Sequence, residues 1–445
     1  MAASDAASSG ATGGRPGRLR AAWARVREGG LAVGRETRRV VVFAALTGTV
    51  TGAGVAGFEW VTRYGLFNHL QQAPLGVLVL APLVGLVLAA LALRVFGAGA
   101  SPTTADEYIK NFHEPGAPLD LRPVPARLVA SVATLGFGGA MGYEGPSIYL
   151  GAAVGSGLQQ RFARLFSRDD AKVLLVAGAA AGVAAIFRAP ATGLVFALEV
   201  PYQEDFARRM LLPAGIAAAF SYLVFVAIYG TSPLLSVTGA PPFNLRDLGG
   251  AAVLGVICGI GARLFTVALV WGKHLSGRAH PAVRAGAAGV GLAVLALVAN
   301  GAFGKPLTLG AGYDNLTWAL DPRRSLGLVV LLLVLRAAAT FGTVSGGGAG
   351  GLFIPLVIEG ALLGRAVGSP FRTAAAGSTF FPLIGVSAFL GAGYQVPLAG
   401  VVFAAETSGR PGFIVPALIA AVVAQLFMGR ASVSSYQVAT RPPPM

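Results

Sequence analysis

The chain has one cysteine, four histidines and few charges. Cys258 stands alone in the apolar run GVICGI, which excludes a disulfide framework within one chain. His69, His113, His274 and His280 make no metal-ligand spacing with one another or with Cys258, so neither a metal nor another cofactor is expected. Charged residues make up 12% of 445 positions, against about twice that share in a soluble domain. Aspartate is missing from the apolar stretches, and no GxGD pair, GxSG serine or HExxH occurs. A membrane-embedded protease therefore has no nucleophile or metal motif to work with, and an enzyme is not expected.

Apolar residues make up 55% of the chain. Long apolar stretches run over 40–58, 75–95, 211–228, 249–271, 283–299 and 327–344, several near the roughly 20 residues that cross a bilayer as a helix. Others are shorter and cut by Gly or Pro. Without water the backbone allows only helices or closed barrels, and these runs are too long and continuous for barrel strands. The 63 glycines suit close helix packing in lipid. The pattern predicts an all-α, multi-pass membrane protein with tilted and partial helices.

Acidic residues are scarce beside basic ones, 19 against 34, giving a net charge of +15. Much of the excess precedes the first span: Arg15, Arg18, Arg20, Arg25, Arg27, Arg35, Arg38 and Arg39. Such a cluster predicts a cytosolic N-terminus touching anionic lipid. Arg161, Arg164, Arg168 and Lys172 should lie on the same side. Little aromatic interleaving accompanies the basic tail beyond Trp23, so nucleic acid is not expected as a partner. No short apolar core with a cleavage site follows, so a removed signal peptide is not expected either. The expected organisation is a basic tail (1–36), a first membrane half (37–245), a second (246–430) and a short end (431–445), with the joint in the polar stretch 231–246.

A Gly-rich block occurs twice. Residues 142–155 read GYEGPSIYLGAAVG and residues 351–364 read GLFIPLVIEGALLG, sharing Gly142/Gly351, Pro146/Pro355, Gly151/Gly360, Ala152/Ala361 and Gly155/Gly364. A second pair follows, APATGLVFALE at 189–199 and VPLAGVVFAAE at 396–406. Pro146 and Pro190 are 44 residues apart, and Pro355 and Pro397 are 42 apart. In a membrane chain, matched Gly/Pro-interrupted segments point to a transport site between two halves.

Helix N-termini carry unpaired N–H groups and partial positive charge. Several aimed at one point hold an anion without a full positive charge, and conduction needs such weak binding. Candidate starts lie near Ser101, Glu144 and Leu352. Glu144 is the exceptional side chain, a carboxylate amid about fifteen apolar or small neighbours on either side. Such a group is costly unless it lines an aqueous path. At a helix start it can occupy the anion site itself, plugging the path when ionised and swinging away when protonated. Its partner in the second block is Phe353, so the turn does not demand Glu. Glu199 and Glu406 match each other, which favours bonding of exposed N–H groups at a helix end. Glu359 has no counterpart, because Leu150 matches it.

These motifs together resemble the CLC family of chloride channels and proton/chloride antiporters over roughly residues 37–430. GYEGP at 142–146 is similar to the family's GxEGP with its gating glutamate, and GLFIP at 351–355 to GxFxP. The resemblance implies two inverted-topology repeats, a homodimer with one pore per subunit, and anion binding by helix N-termini and side-chain hydroxyls. Carried onto this chain, the anion-binding positions are Ser101, Gly142, Tyr143, Gly145, Leu352, Phe353 and either Ser434 or Tyr436, with Glu144 as gate. The family's GSGIP reads GAGASPTT at 97–104, where Ser101 or Ala100 takes the serine's place. The antiporters' internal proton-transfer glutamate falls at Val200, beside Glu199. The resemblance implies chloride or similar small-anion transport in a bacterial plasma membrane, channel-like or weakly proton-coupled because of Val200. The alternative is a proton/chloride antiporter with a non-standard internal route. A fluoride-selective transporter is a further reading.

Overall fold

The computed structural model describes residues 38–166, 172–232, 244–321, 324–369 and 379–440. The basic tail, Arg168, most of the 231–246 joint and the last five residues lie outside the described residues. Two compact units are distinguished, residues 1–43 and 44–445. Of the first, residues 38–43 are described and helical. Packing is described below for the second.

Seven helices are long and apolar enough to cross a membrane. All six long apolar stretches of the sequence fall within such helices: α1 (Arg38–Leu70), α2 (Leu75–Phe96), α8 (Leu211–Tyr229), α9 (Leu245–Arg278), α10 (Pro281–Phe303) and α12 (Leu326–Ser345). The seventh ends in α16 (Ile414–Met428). Between them lie shorter helices: α3 (Ala105–His113), α4 (Val124–Gly136), α5 (Glu144–Arg161), α6 (Val173–Phe187), α7 (Pro190–Glu199), α11 (Tyr313–Leu320), α13 (Phe353–Val367), α14 (Phe380–Tyr394) and α15 (Pro397–Ser408). There is no β-sheet among the described residues, only two isolated bridges.

Exposure follows the same division. The long helices present large apolar side chains outward, including Leu264, Val283 and Leu426 at 66–76% exposure or close to it. Apolar surface on that scale is normal against lipid and a liability in water. The short helices α6 and α14 are buried along their whole length. A helix that is apolar all round belongs in a core.

The repeat is visible in how these buried helices pack. A Cβ at Gly151 would strike the carbonyl of Gly178, and one at Gly360 would strike the carbonyl of Gly385. The two matched glycines therefore make the same close crossing, α5 on α6 and α13 on α14. Glycine removes the side chain that would hold two such backbones apart. Each buried helix ends on a left-handed residue, Arg188 at φ 53° and Gln395 at φ 59°. Each is followed by a helix with Pro at its start, Pro190 or Pro397. The left-handed residue stops one helix, and proline's fixed φ and missing N–H suit the first position of the next.

Candidate anion site

The two repeat blocks begin in contact. Gly142 N–H donates to the Gly351 carbonyl at 2.9 Å, and Gly351 N–H donates to the Gly142 carbonyl at 2.8 Å. This antiparallel bridge brings the starts of α5 and α13 together. Glu144, the first residue of α5, is completely buried and reaches across to the other half. Its Oε1 accepts from Phe353 N–H at 2.6 Å and from Ile354 N–H at 3.4 Å. The carboxylate thus sits on the unpaired amides at the start of α13, where the helix dipole also favours negative charge. Oε2 has no partner among the described residues.

Glycine makes the room. A Cβ at Gly142 or at Gly351 would collide with the Glu144 carboxylate. One at Gly145 would come within 2.6 Å of the Thr104 hydroxyl and 2.8 Å of the Gly350 carbonyl. Tyr143 is buried, stacked on Tyr313 with centroids 6.2 Å apart and edge-on to Phe58. Leu352 and Phe353 are buried at the start of α13. Gly142, Tyr143, Glu144, Gly145, Leu352 and Phe353 are therefore brought together.

Two cavities flank this region. One of about 370 Å³ is lined by Arg63, Tyr143, Lys305 and Tyr313, among others. Arg63 is paired with Glu59 at 2.9 Å and lies over the Tyr313 ring. The other cavity, of about 520 Å³, is lined by Ser101, Thr104, Lys273, Leu352, Tyr394 and Tyr436, among others. Lys273 holds Asp106 at 2.7 Å and also donates to the Val433 carbonyl.

The remaining candidates divide. Ser101 is exposed to the second cavity, its hydroxyl 2.7 Å from that of Thr103 and 3.4 Å from Arg127. The helix expected near Ser101 starts at Ala105 instead. Gly99, at φ 81°, and Pro102 keep the chain irregular before it. Buried Thr104 precedes that helix and donates to the Gly350 carbonyl at 3.3 Å. In sequence, Ser101, Thr103 and Thr104 have the same chemistry, and the fold alone distinguishes Thr104. Ser434 has a buried hydroxyl with no partner among the described residues, whereas Tyr436 lines the cavity at 42% exposure. Val200 caps the end of α7 and is buried.

Glu199 and Glu406 bond reciprocally. Glu199 accepts from Leu398 N–H at 3.1 Å and Ala399 N–H at 2.8 Å, at the start of α15. Glu406, on α15, accepts from Ala191 N–H at 2.9 Å and Thr192 N–H at 2.7 Å, at the start of α7. Each helix caps the other's N-terminus, as an inverted pair would. Glu359 is buried on α13, near Arg336 of α12 and with Oε1 unpartnered among the described residues. Among the described residues no cluster of His, Cys, Asp and Glu could hold a metal.

Known proteins with this pattern are anion transporters. A family model described as "Voltage gated chloride channel" matches residues 84–429. The chain is 29% identical to the H(+)/Cl(−) exchange transporter ClcA of Citrobacter koseri, over 88% of this chain and 86% of that one. It is 28% identical to the H(+)/Cl(−) exchange transporter ClcA of Salmonella arizonae, over 87% and 85%. Among solved structures, a slow cyanobacterial Cl−/H+ antiporter superposes with a TM-score of 0.77 at 22% identity, covering 88% of this chain and 94% of that one. A CLC-type fluoride/proton antiporter superposes with a TM-score of 0.79, also at 22% identity, covering 91% and 98%. Both likenesses speak to the fold.

Proposed function

Because the chain belongs to the CLC family of chloride channels and antiporters, we propose that it exchanges chloride or a similar small anion for protons. Glu144 is the gate and the proton acceptor of this reading. The observation that carries it is the Glu144 carboxylate seated on the Phe353 and Ile354 amides, a negative side chain where a free anion would be held. Protonation weakens its hold on those amides, and an anion entering from either cavity can replace it. In this reading the backbone of Gly142, Tyr143, Gly145, Leu352 and Phe353 forms the narrow part of the path, and Ser101 and Tyr436 face the wider part. The relatives named H(+)/Cl(−) exchange transporters support coupling.

Val200 supports a second reading, channel-like or weakly coupled movement. Its side chain cannot carry a proton, and both oxygens of neighbouring Glu199 accept from the start of α15. Exchange therefore needs an internal route other than a glutamate at 200. A fluoride preference is a narrower reading of the same transport class. Reconstituted vesicles separate the first two. A chloride gradient should drive uphill proton uptake, and chloride flux with no proton movement would leave the channel-like reading.

The same proposal takes the membrane halves as 37–245 and 246–430, the membrane as a bacterial plasma membrane, the N-terminus as cytosolic and the assembly as a homodimer with lipid around it. The arginines before residue 40 support the orientation. The homodimer follows from the family membership. Protease access to tags at the N-terminus and near residue 164, read with cross-linking in detergent, should give one common side and a dimer. An external tag or a fully active monomer would overturn the corresponding part.

A further inference from the structure

We infer that a groove between α10 and α12 binds one anionic phospholipid of the bilayer, and that its headgroup draws the charge of Arg284 away from the neighbouring anion cavity. The first half needs only that the chain lies in a bilayer. The second rests on the anion-transport reading above.

The groove has a volume of about 400 Å³ and lies beside the last turns of α9. Small residues open it: Ala287, Ala288 and Gly291 line it from α10, Ala338 and Gly342 from α12. A Cβ at Gly291 would meet nothing within 4 Å, so no other part of the described chain fills that space. From Ala287 to Leu295 the lining rises about 12 Å along α10, which suits a stretch of acyl chain better than a compact solute.

Charge at one end selects the lipid. Between Asp247 and Asp314 the chain has no carboxylate side chain, whereas Lys273, His274, Arg278, His280 and Arg284 crowd the end of α9 and the start of α10. Lys273 is committed to Asp106. Arg284 is the charged residue that lines the groove. Trp271, 59% exposed on α9, stacks on Phe341 of the groove with centroids 5.6 Å apart. An exposed Trp among basic residues marks the headgroup level of a membrane helix, where cations meet lipid phosphates. The basic end of the groove is therefore at the headgroups and its apolar length in the hydrocarbon. Any acyl chain satisfies that length, but the basic end calls for negative charge.

Arg284 also joins the groove to the transport region. Arg284 and Ala279 line both the groove and the cavity of about 520 Å³ that Ser101 and Leu352 share. The Arg284 guanidinium lies over Gly347, where a Cβ would come within 2.8 Å of Nη2 and where φ is 83°. Gly347 belongs to the turn between α12 and α13, just before Gly350, whose carbonyl accepts from Thr104. One side chain thus touches the groove, the anion cavity and the turn that leads to the α13 amides. A headgroup phosphate on Arg284 cancels positive charge that the cavity otherwise presents to an anion.

The test uses the full-length protein in phosphatidylcholine vesicles with or without phosphatidylglycerol. Lipid retained after detergent extraction is counted by native mass spectrometry, and chloride flux is measured in the same vesicles. Gly291→Leu fills the groove without striking protein and should cut retained phosphatidylglycerol about tenfold, the worth of roughly two buried methylenes. Arg284→Gln removes the headgroup's partner and should cut it about fivefold, the worth of one basic residue near a membrane surface. Phosphatidylglycerol should slow chloride flux in the wild type more than in Gly291→Leu. Both face the same vesicle surface potential, so the difference belongs to the groove. Unchanged retention in either variant overturns the inference. Equal retention of phosphatidylcholine, or an altered oligomeric state in Gly291→Leu, gives the groove to another occupant and overturns it too. Equal slowing of wild type and Gly291→Leu overturns the link to the anion cavity. Absence of chloride flux in every vesicle counts against the transport reading, and lipid retention still decides the groove.

Discussion

Two pairs of repeat-related helices use carboxylates in different ways. Around α7 and α15 the arrangement is symmetric: Glu199 bonds the start of α15, and Glu406 bonds the start of α7. Around α5 and α13 it is one-sided. Glu144 bonds the start of α13, but the matching residue, Phe353, returns nothing to the start of α5. A duplicated fold demands the same support twice, so what appears in both halves is explained by folding alone. What appears in one half needs another reason. Glu144 against Phe353 is such a departure, and it places a carboxylate on the amides of α13.

The comparison is broken most severely by removing the one-sided carboxylate. Glu144→Gln should reduce proton uptake driven by chloride by about 10²–10⁴-fold, the range for a proton-transfer group. Chloride flux should persist or rise, and its dependence on external pH should flatten. Retained uptake in a folded variant would remove Glu144 from the gate. The symmetric pair should behave differently. Glu406→Ala leaves the amides of Ala191 and Thr192 without their charged acceptor and should cost about 1–3 kcal/mol of stability. Glu199→Ala should cost a similar amount, and chloride flux per folded molecule should survive in both. Thermal unfolding in detergent with flux on the same samples reads this. A Glu199 variant of unchanged stability that loses proton coupling would break the symmetry and make Glu199 the internal carrier. A third effect sharpens the picture of the Glu144 site. Gly142→Ala places a methyl against the Glu144 carboxylate and should cost about 1–3 kcal/mol, as overpacking does. In the Glu144→Ala background that cost should vanish. An unchanged cost in the double variant would mean the carboxylate does not lie over Gly142.

Much of this was legible in the sequence because membrane backbones leave marks. A close crossing requires glycine, and a helix restarted after a left-handed residue favours proline. Gly151, Gly360, Pro190 and Pro397 therefore announced the repeat before any coordinates. Glu144 stood out because a charge amid small apolar residues has few explanations. The end of α1 was less visible. The apolar run stops before Glu59, yet the helix continues to Leu70 through a π-helical stretch, Trp60–Phe67, in which Arg63 pairs with Glu59 one turn away. Thr104 was hidden among equivalent hydroxyls. The reciprocal bonding of Glu199 and Glu406 rests on contacts about 200 residues apart in sequence, for which no local pattern exists.

The bridge between Gly142 and Gly351 limits what can move here. Its two backbone hydrogen bonds tie the two repeat blocks together beside Glu144. A transporter that rocked one half against the other would tear both on every cycle, in an interior without water to replace them. The seam is stitched at its centre, so the exchange proposed above is expected to move something small beside the stitch, the Glu144 side chain, on a fixed frame.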